Sequence, residues 1–110
     1  DAVPVGGLDH GVRLIAPMLN VTRTWNAVGA LASMRRCVAL ATAYAHQREA
    51  FGKRLIEHPL HAETLADMQA AFEAAFQLVF HLTHLLGRSE CALADTAEPA
   101  CLRLLTPLAK

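Results

Sequence analysis

Apolar residues recur every three or four positions along most of this chain, which is the spacing of an amphipathic helix rather than a strand. The opening Asp1 to Gly7 carries Pro4 and the Gly6-Gly7 pair and reads as a linker. Val12, Ile15 and Leu19 predict a short helix over about 9–19, with Pro17 limiting its regularity. A long helix is expected from Thr22 or Arg23 to about Gln47. There Trp25, Val28, Leu31 or Ala32, Cys37 or Val38, Ala41 and Ala45 keep the period. Small residues such as Gly29, Ala30 and Ala39 crowd several sides of it and suit a helix at the centre of a bundle.

Phe51 to His58 is a short polar connection, and Pro59 stands where a proline starts a helix well. The second long helix is predicted over about 59–86, with Leu65, Met68, Phe72, Phe76, Val79, Leu82 and Leu86 on one face and Gly87 as its stop. Asp95 or Thr96 then caps a last helix over about 96–110, with Pro99 in its first turn and Pro107 as a kink. The expected fold is all-α: an up-and-down antiparallel helical bundle within one domain spanning 1–110, incomplete at its C-terminal side.

Composition supports this and narrows the chemistry. Hydrophobic residues make up 54% of the 110 positions, alanine is abundant, and β-branched residues thin out after Val38. Ten basic residues balance ten acidic ones, which disfavours nonspecific attachment to nucleic acid or anionic membrane. No apolar run approaches the roughly 20 residues needed to span a bilayer. Cys37, Cys91 and Cys101 show no C-x-x-C spacing, and an odd count without a secretion signal reads as reduced thiols in the cytoplasm. Cys37, in an apolar helix, is expected in the core. Asp1 opens the chain where Met would stand and Lys110 ends it without a stop signal, so the chain reads as part of something longer.

Two histidine pairs, His58 with His61 and His81 with His84, share helix faces at i,i+3, but no converging ligand set is readable, so no metal is expected. Ser33 and Cys37 lack a neighbouring base and orienting acid, which removes nucleophilic catalysis. Gly6-Gly7 precedes no strand and makes no phosphate loop. Arg35-Arg36 is expected on a solvated face. The richest chemistry lies at Arg48, Phe51 and Gly52. A guanidinium suits phosphate, an adjacent aromatic ring suits stacking, and Gly permits unusual backbone angles. The same residues also read as a plain helix C-terminus, with Arg48 at the negative end of the dipole and Gly52 closing the last turn.

The order of segments resembles a known family. The lead Gly7-Leu8-Asp9-His10-Gly11-Val12-Arg13 precedes Thr22-Arg23 at the start of a small-residue helix. That helix ends in Tyr44-Ala45-x-x-Arg48-x-x-Phe51-Gly52-x-x-Leu55, and Leu65-Ala66-Asp67-Met68 follows. Over nearly the whole chain this is similar to the C-terminal helical domain of the acyl-CoA dehydrogenase flavoproteins. Met34-Arg35-Arg36, Ala45-His46-Gln47-Arg48, Pro59-Leu60 and Leu105-Thr106-Pro107 look most like the alkylation-response, AidB-like branch.

The resemblance implies an FAD-dependent oxidoreductase acting on the CH-CH group of an acyl-CoA, with this part supplying FAD contacts and a subunit interface in a homo-oligomer, a dimer or tetramer. It implies that Arg48 meets the FAD pyrophosphate of a neighbouring subunit and that Phe51, with Gly52, lies near the adenine side. Arg23 and Asn20 would stand near the acyl-CoA substrate. Ala50 replaces a Ser or Thr donor common in the family, Pro59 or Leu60 a Gln, and Asn20 an Asp. Thr22 occupies the place where one subgroup carries its catalytic carboxylate, and the commoner catalytic Glu is implied beyond Lys110, so no catalytic residue is expected here. The alternative implied by the AidB-like branch is a DNA-associated flavoprotein with vestigial dehydrogenase activity, using Arg35, Arg36, Arg48, Lys53 and Arg54 as a local basic patch.

Overall fold

The computed structural model describes residues 1–4, 6 and 9–109. Val5 and Gly7 of the expected linker, Leu8 of the Gly7–Arg13 lead, and Lys110 at the expected end of the last helix lie outside them. Three helices dominate: α1 over Gly11–Gln47, α2 over Pro59–Glu90 and α3 over Glu98–Leu108. Between α1 and α2 lie a two-stranded hairpin, β1 (Glu49–Ala50) and β2 (Lys53–Arg54), and one 3-10 turn over Leu55–Glu57.

The short leading helix and the long helix expected after it are one continuous helix, with Pro17 inside. A proline removes its own N–H from the ladder and crowds the carbonyl four residues back, here Arg13 in the first turn, and nothing from Met18 to Thr24 is a further breaker. Thr22 Oγ1 and Thr24 Oγ1 instead donate to the carbonyls of Met18 and Asn20, at 2.9 and 3.0 Å, along this stretch.

The helix α1 buries Thr24, Ala27, Leu31, Val38 and Ala45 along one narrow line. Trp25, expected in that register, lies one position off the line and is 75% exposed. Helix α2 buries Leu65, Val79, Leu82 and Leu85, leaving Met68 and Phe76 exposed. Ala27 and Leu31 pack with Val79, Phe72 and Ala75, while Val38 and Cys37 share a groove with Met68. Contacts therefore advance along α1 as they retreat along α2, so the two helices run antiparallel. Leu102 of α3 closes a second cluster with Leu82 and Leu85, and Ala109 reaches both clusters.

Gly87 does not stop α2. The helix runs on to Glu90, and Ala92 takes the left-handed conformation at φ 55°. Leu93 N–H donates to the Arg88 carbonyl at 2.8 Å and Ala92 N–H to that of Ser89 at 3.3 Å, a Schellman closure displaced from the glycine. Asp95 leads into α3: its Oδ1 accepts from the N–H of Ala97 and Glu98, at 2.8 and 3.1 Å. Glu98 Oε2 accepts in return from Asp95 N–H at 3.0 Å, a reciprocal pair of bonds just ahead of the helix, whose N-cap is Ala97. Arg88 Nε binds the same carboxylate at 2.7 Å, tying the end of α2 to the start of α3.

Cys37, expected in the core, is exposed, as are Cys91 and Cys101, and all three are free thiols. Cys37 lies beside the buried line of α1, facing a groove that no element among the described residues covers.

Candidate functional site

Helix α1 ends at Gln47, and Arg48 leaves it in an extended conformation, φ −80° and ψ 125°, its N–H still donating to the Tyr44 carbonyl at 2.9 Å. The chain then reverses within two residues. Glu49 pairs with Arg54 and Ala50 with Lys53, so Phe51 and Gly52 form the whole loop. Both have positive φ, 52° and 76°. That is the combination a type I′ hairpin requires, because its twist matches that of the flanking strands. Gly52 meets the requirement without strain, whereas a left-handed Phe costs about 1–2 kcal/mol. Gly52 thus serves the hairpin and does not close the helix, which corrects that part of the helix-end reading, while Arg48 does stand at the C-cap of α1.

The consequence for Phe51 is exposure: 97% of it is open to solvent, more than any other large apolar side chain among the described residues. Arg48, Lys53 and Arg54 are exposed around it. Among the described residues the sole ion pair joins Arg88 to Glu98, which leaves the Arg48 guanidinium free to meet an anion. The hairpin is anchored behind the turn. Leu55 N–H donates to the Arg48 carbonyl at 2.9 Å, and His58 Nε2 lies 3.0 Å from the Ala50 carbonyl oxygen. The His58 ring also meets Phe51 edge-on, with centroids 6.4 Å apart and planes at 82°.

Arg23 and Asn20 stand elsewhere. They lie on α1, joined by a long contact of 3.5 Å from Arg23 Nη1 to Asn20 Oδ1. Asn20 faces a cleft of about 410 Å³ between α1, α2 and α3, which Arg13, Glu90 and Arg103 also line. The 25 residues from Arg23 to Arg48 separate the two groups by about 37 Å of helix, so this chain does not bring them together. Among the described residues no group of three or more His, Cys, Asp or Glu converges to hold a metal, and no helix is long and apolar enough to cross a membrane.

Sequence reasoning missed the hairpin and His58. Phe-Gly is a weak hairpin signal beside Asn-Gly or Asp-Gly, and the strands are two residues each. The contact from His58 spans eight residues through a turn that no periodicity reveals.

What these features define is a mainly helical module with an exposed Phe51 ring and exposed Arg48, Lys53 and Arg54 together just past the end of its longest helix. The family model described as acyl-CoA dehydrogenase, C-terminal domain, matches residues 9–107, and the chain belongs to the acyl-CoA dehydrogenase family. It is 41% identical over 106 residues to acyl-CoA dehydrogenase family member 11 of Caenorhabditis elegans, covering 96% of this chain and 17% of that protein. Against the putative acyl-CoA dehydrogenase AidB of Escherichia coli K12 it is 41% identical over 101 residues, covering 92% of this chain and 18% of that protein. Its fold is similar to the crystal structure of C. elegans ACDH-11 in complex with C11-CoA, with a TM-score of 0.91 and 40% identity over 96% of this chain and 18% of that one. The chain therefore spans less than a quarter of the length of the curated relatives it matches.

Proposed function

We propose that this chain is the flavin-contacting helical part of an FAD-dependent acyl-CoA dehydrogenase, a CH-CH oxidoreductase working as a homo-oligomer. The observation that carries the reading is the Phe51-Gly52 turn. An aromatic ring held at positive φ and almost fully exposed is unfavourable for a domain standing alone, and such strain concentrates where a ligand is met. The donor set fits the cofactor. Arg48 supplies a charge-assisted pair of donors for a pyrophosphate, and Phe51 supplies a flat apolar face for the adenine side. Gly52 lets the backbone turn at positive φ and leaves its outer side open: a Cβ there would meet nothing within 4 Å among the described residues.

When bound, FAD would accept hydride from the acyl thioester. This chain's residues bind and orient; Thr22 cannot take the α-proton, and we assign no catalytic residue here. Arg23 and Asn20 are placed by this reading toward the acyl-CoA, a substrate class in keeping with the C11-CoA complex of ACDH-11. The free, exposed cysteines suit a reducing compartment such as the cytoplasm. Exposed Arg48, Lys53 and Arg54 also make the hairpin locally basic. With Glu49 paired opposite Arg54 and a formal net charge of zero, that surface favours one bound cofactor over a polyanion such as DNA.

Arg48→Ala in the full-length protein tests the reading. Losing a hydrogen-bonded charge costs about 2 kcal/mol, so FAD affinity is expected to fall about thirtyfold. Wild-type retention of FAD after gel filtration would leave Arg48 as no more than the residue that ends α1.

A further inference from the structure

Among the described residues, His58 is the side chain that contacts the Phe51 turn from outside it, through one hydrogen bond and one ring edge. A carbonyl oxygen only accepts, so the 3.0 Å contact with Ala50 requires the imidazole to carry a proton on Nε2 and donate it. The same ring lies edge-on to Phe51, with centroids 6.4 Å apart. Its backbone is fixed as well: His58 N–H donates to the Leu55 carbonyl at 3.1 Å, and its carbonyl accepts from His61 and Ala62, each at 3.0 Å. One residue thereby joins the start of α2, the 3-10 turn and the hairpin tip. Phe51 is otherwise almost bare to solvent, and a strained turn persists only when its surroundings over-determine it.

We infer that His58 is a positioning residue for the flavin contact: its Nε2–H bond to Ala50 and its ring edge hold Phe51 in the presented conformation. This rests on the reading that Arg48 and Phe51 meet FAD. His58 acts through Phe51, so its effect disappears when Phe51 is removed. A residue that merely stabilises the fold would act independently of Phe51.

The experiment is a double-mutant cycle in the full-length protein stripped of FAD, reading the dissociation constant from quenching of flavin fluorescence. His58→Ala is expected to weaken FAD binding about tenfold, the combined effect of one hydrogen bond and one aromatic contact. His58→Gln, whose amide N–H reaches the same carbonyl, should recover most of that loss, and His58→Ala in a Phe51→Ala background should add nothing. Equal fold-changes in both backgrounds, or wild-type affinity in His58→Ala, would overturn the inference while leaving the flavin reading intact. Wild-type affinity in Phe51→Ala would overturn both. If His58→Ala does not unfold cooperatively without FAD, His58→Phe decides. It keeps a ring and loses the donor, so wild-type affinity there removes the hydrogen bond from the account.

Discussion

At position 92 an alanine sits in the left-handed region, and five residues earlier a glycine sits inside a helix. Each residue type would be better placed at the other position. A left-handed Ala costs about 1–2 kcal/mol, while a mid-helix Gly gives up about 0.5–1 kcal/mol to Ala through the freedom of its unfolded chain. A Cβ added at Gly87 meets nothing within 4 Å, so no clash offsets that gain. Gly87→Ala and Ala92→Gly are therefore each expected to stabilise the chain by about 0.5–1 kcal/mol, read as a rise in thermal midpoint. The sequence-level expectation, with Gly87 as the stop of the helix, requires the opposite sign for Gly87→Ala, so one melting curve separates the two. The miss has a definite origin. Gly is the usual C′ residue, and nothing local announces that Arg88, Ser89 and Leu93 will close the helix around an alanine instead.

Among the elements, α2 and α3 are joined by charge as much as by packing. Asp95 is held ionised below the ordinary carboxylate range by the N–H groups of Ala97 and Glu98, and Glu98 by its hydrogen bond from Arg88. Lowered folded-state pKa values mean that protons bind the unfolded chain first. The stabilisation is complete above the ordinary carboxylate pKa of about 4 and is lost as pH falls through the lower folded values. Acidification from pH 6 to pH 3 should lower the melting temperature, and an Asp95→Asn, Glu98→Gln variant should show a shallower decline. Identical slopes would mean that the Asp95 and Glu98 carboxylates contribute nothing to acid sensitivity. The Arg88 and Glu98 side chains remain 34% and 21% exposed, so the bridge is screened by water and 0.5 M salt should reduce its part. The sequence pointed to Asp95 or Thr96 as the cap of α3; the N-cap falls at Ala97, and Asp95 instead accepts from the N–H groups of Ala97 and Glu98 just ahead of the helix. The continuity of α1 was not legible, because Pro17 perturbs only the first turns while packing further along decides whether the helix survives.

At the scale of the whole molecule, this chain has more surface than a self-sufficient domain of its mass. Its radius of gyration is 20.7 Å, against about 13 Å for a compact chain of this length, and it measures 70 × 39 × 18 Å. Accessible area is 8524 Å², whereas 11.9 kDa in a compact monomer would show about 5,900 Å². The excess of roughly 2,600 Å² is about three times what one partner contributes to a standard interface. Apolar grooves also lie on both sides of the buried Ala27–Leu31–Val38 line. Met34, Cys37 and Met68 flank it on one side; Val28, Phe76 and Phe80 on the other. The antiparallel pairing was readable from two long helical periods joined by a short connection, but which apolar stripe stays uncovered was not, because a repeat of 3.6 residues marks a face without naming its neighbour. Surface of this kind needs burial, so the isolated chain is expected to associate with itself, its weight-average mass in sedimentation rising with concentration. Phe76→Asp should lower that mass toward 11.9 kDa with little loss of helix, since Phe76 is already 40% exposed within the chain. A monomer at high micromolar concentration, with both grooves open to water, would show that the apolar surface is tolerated and would remove the physical ground for an oligomer built through these helices.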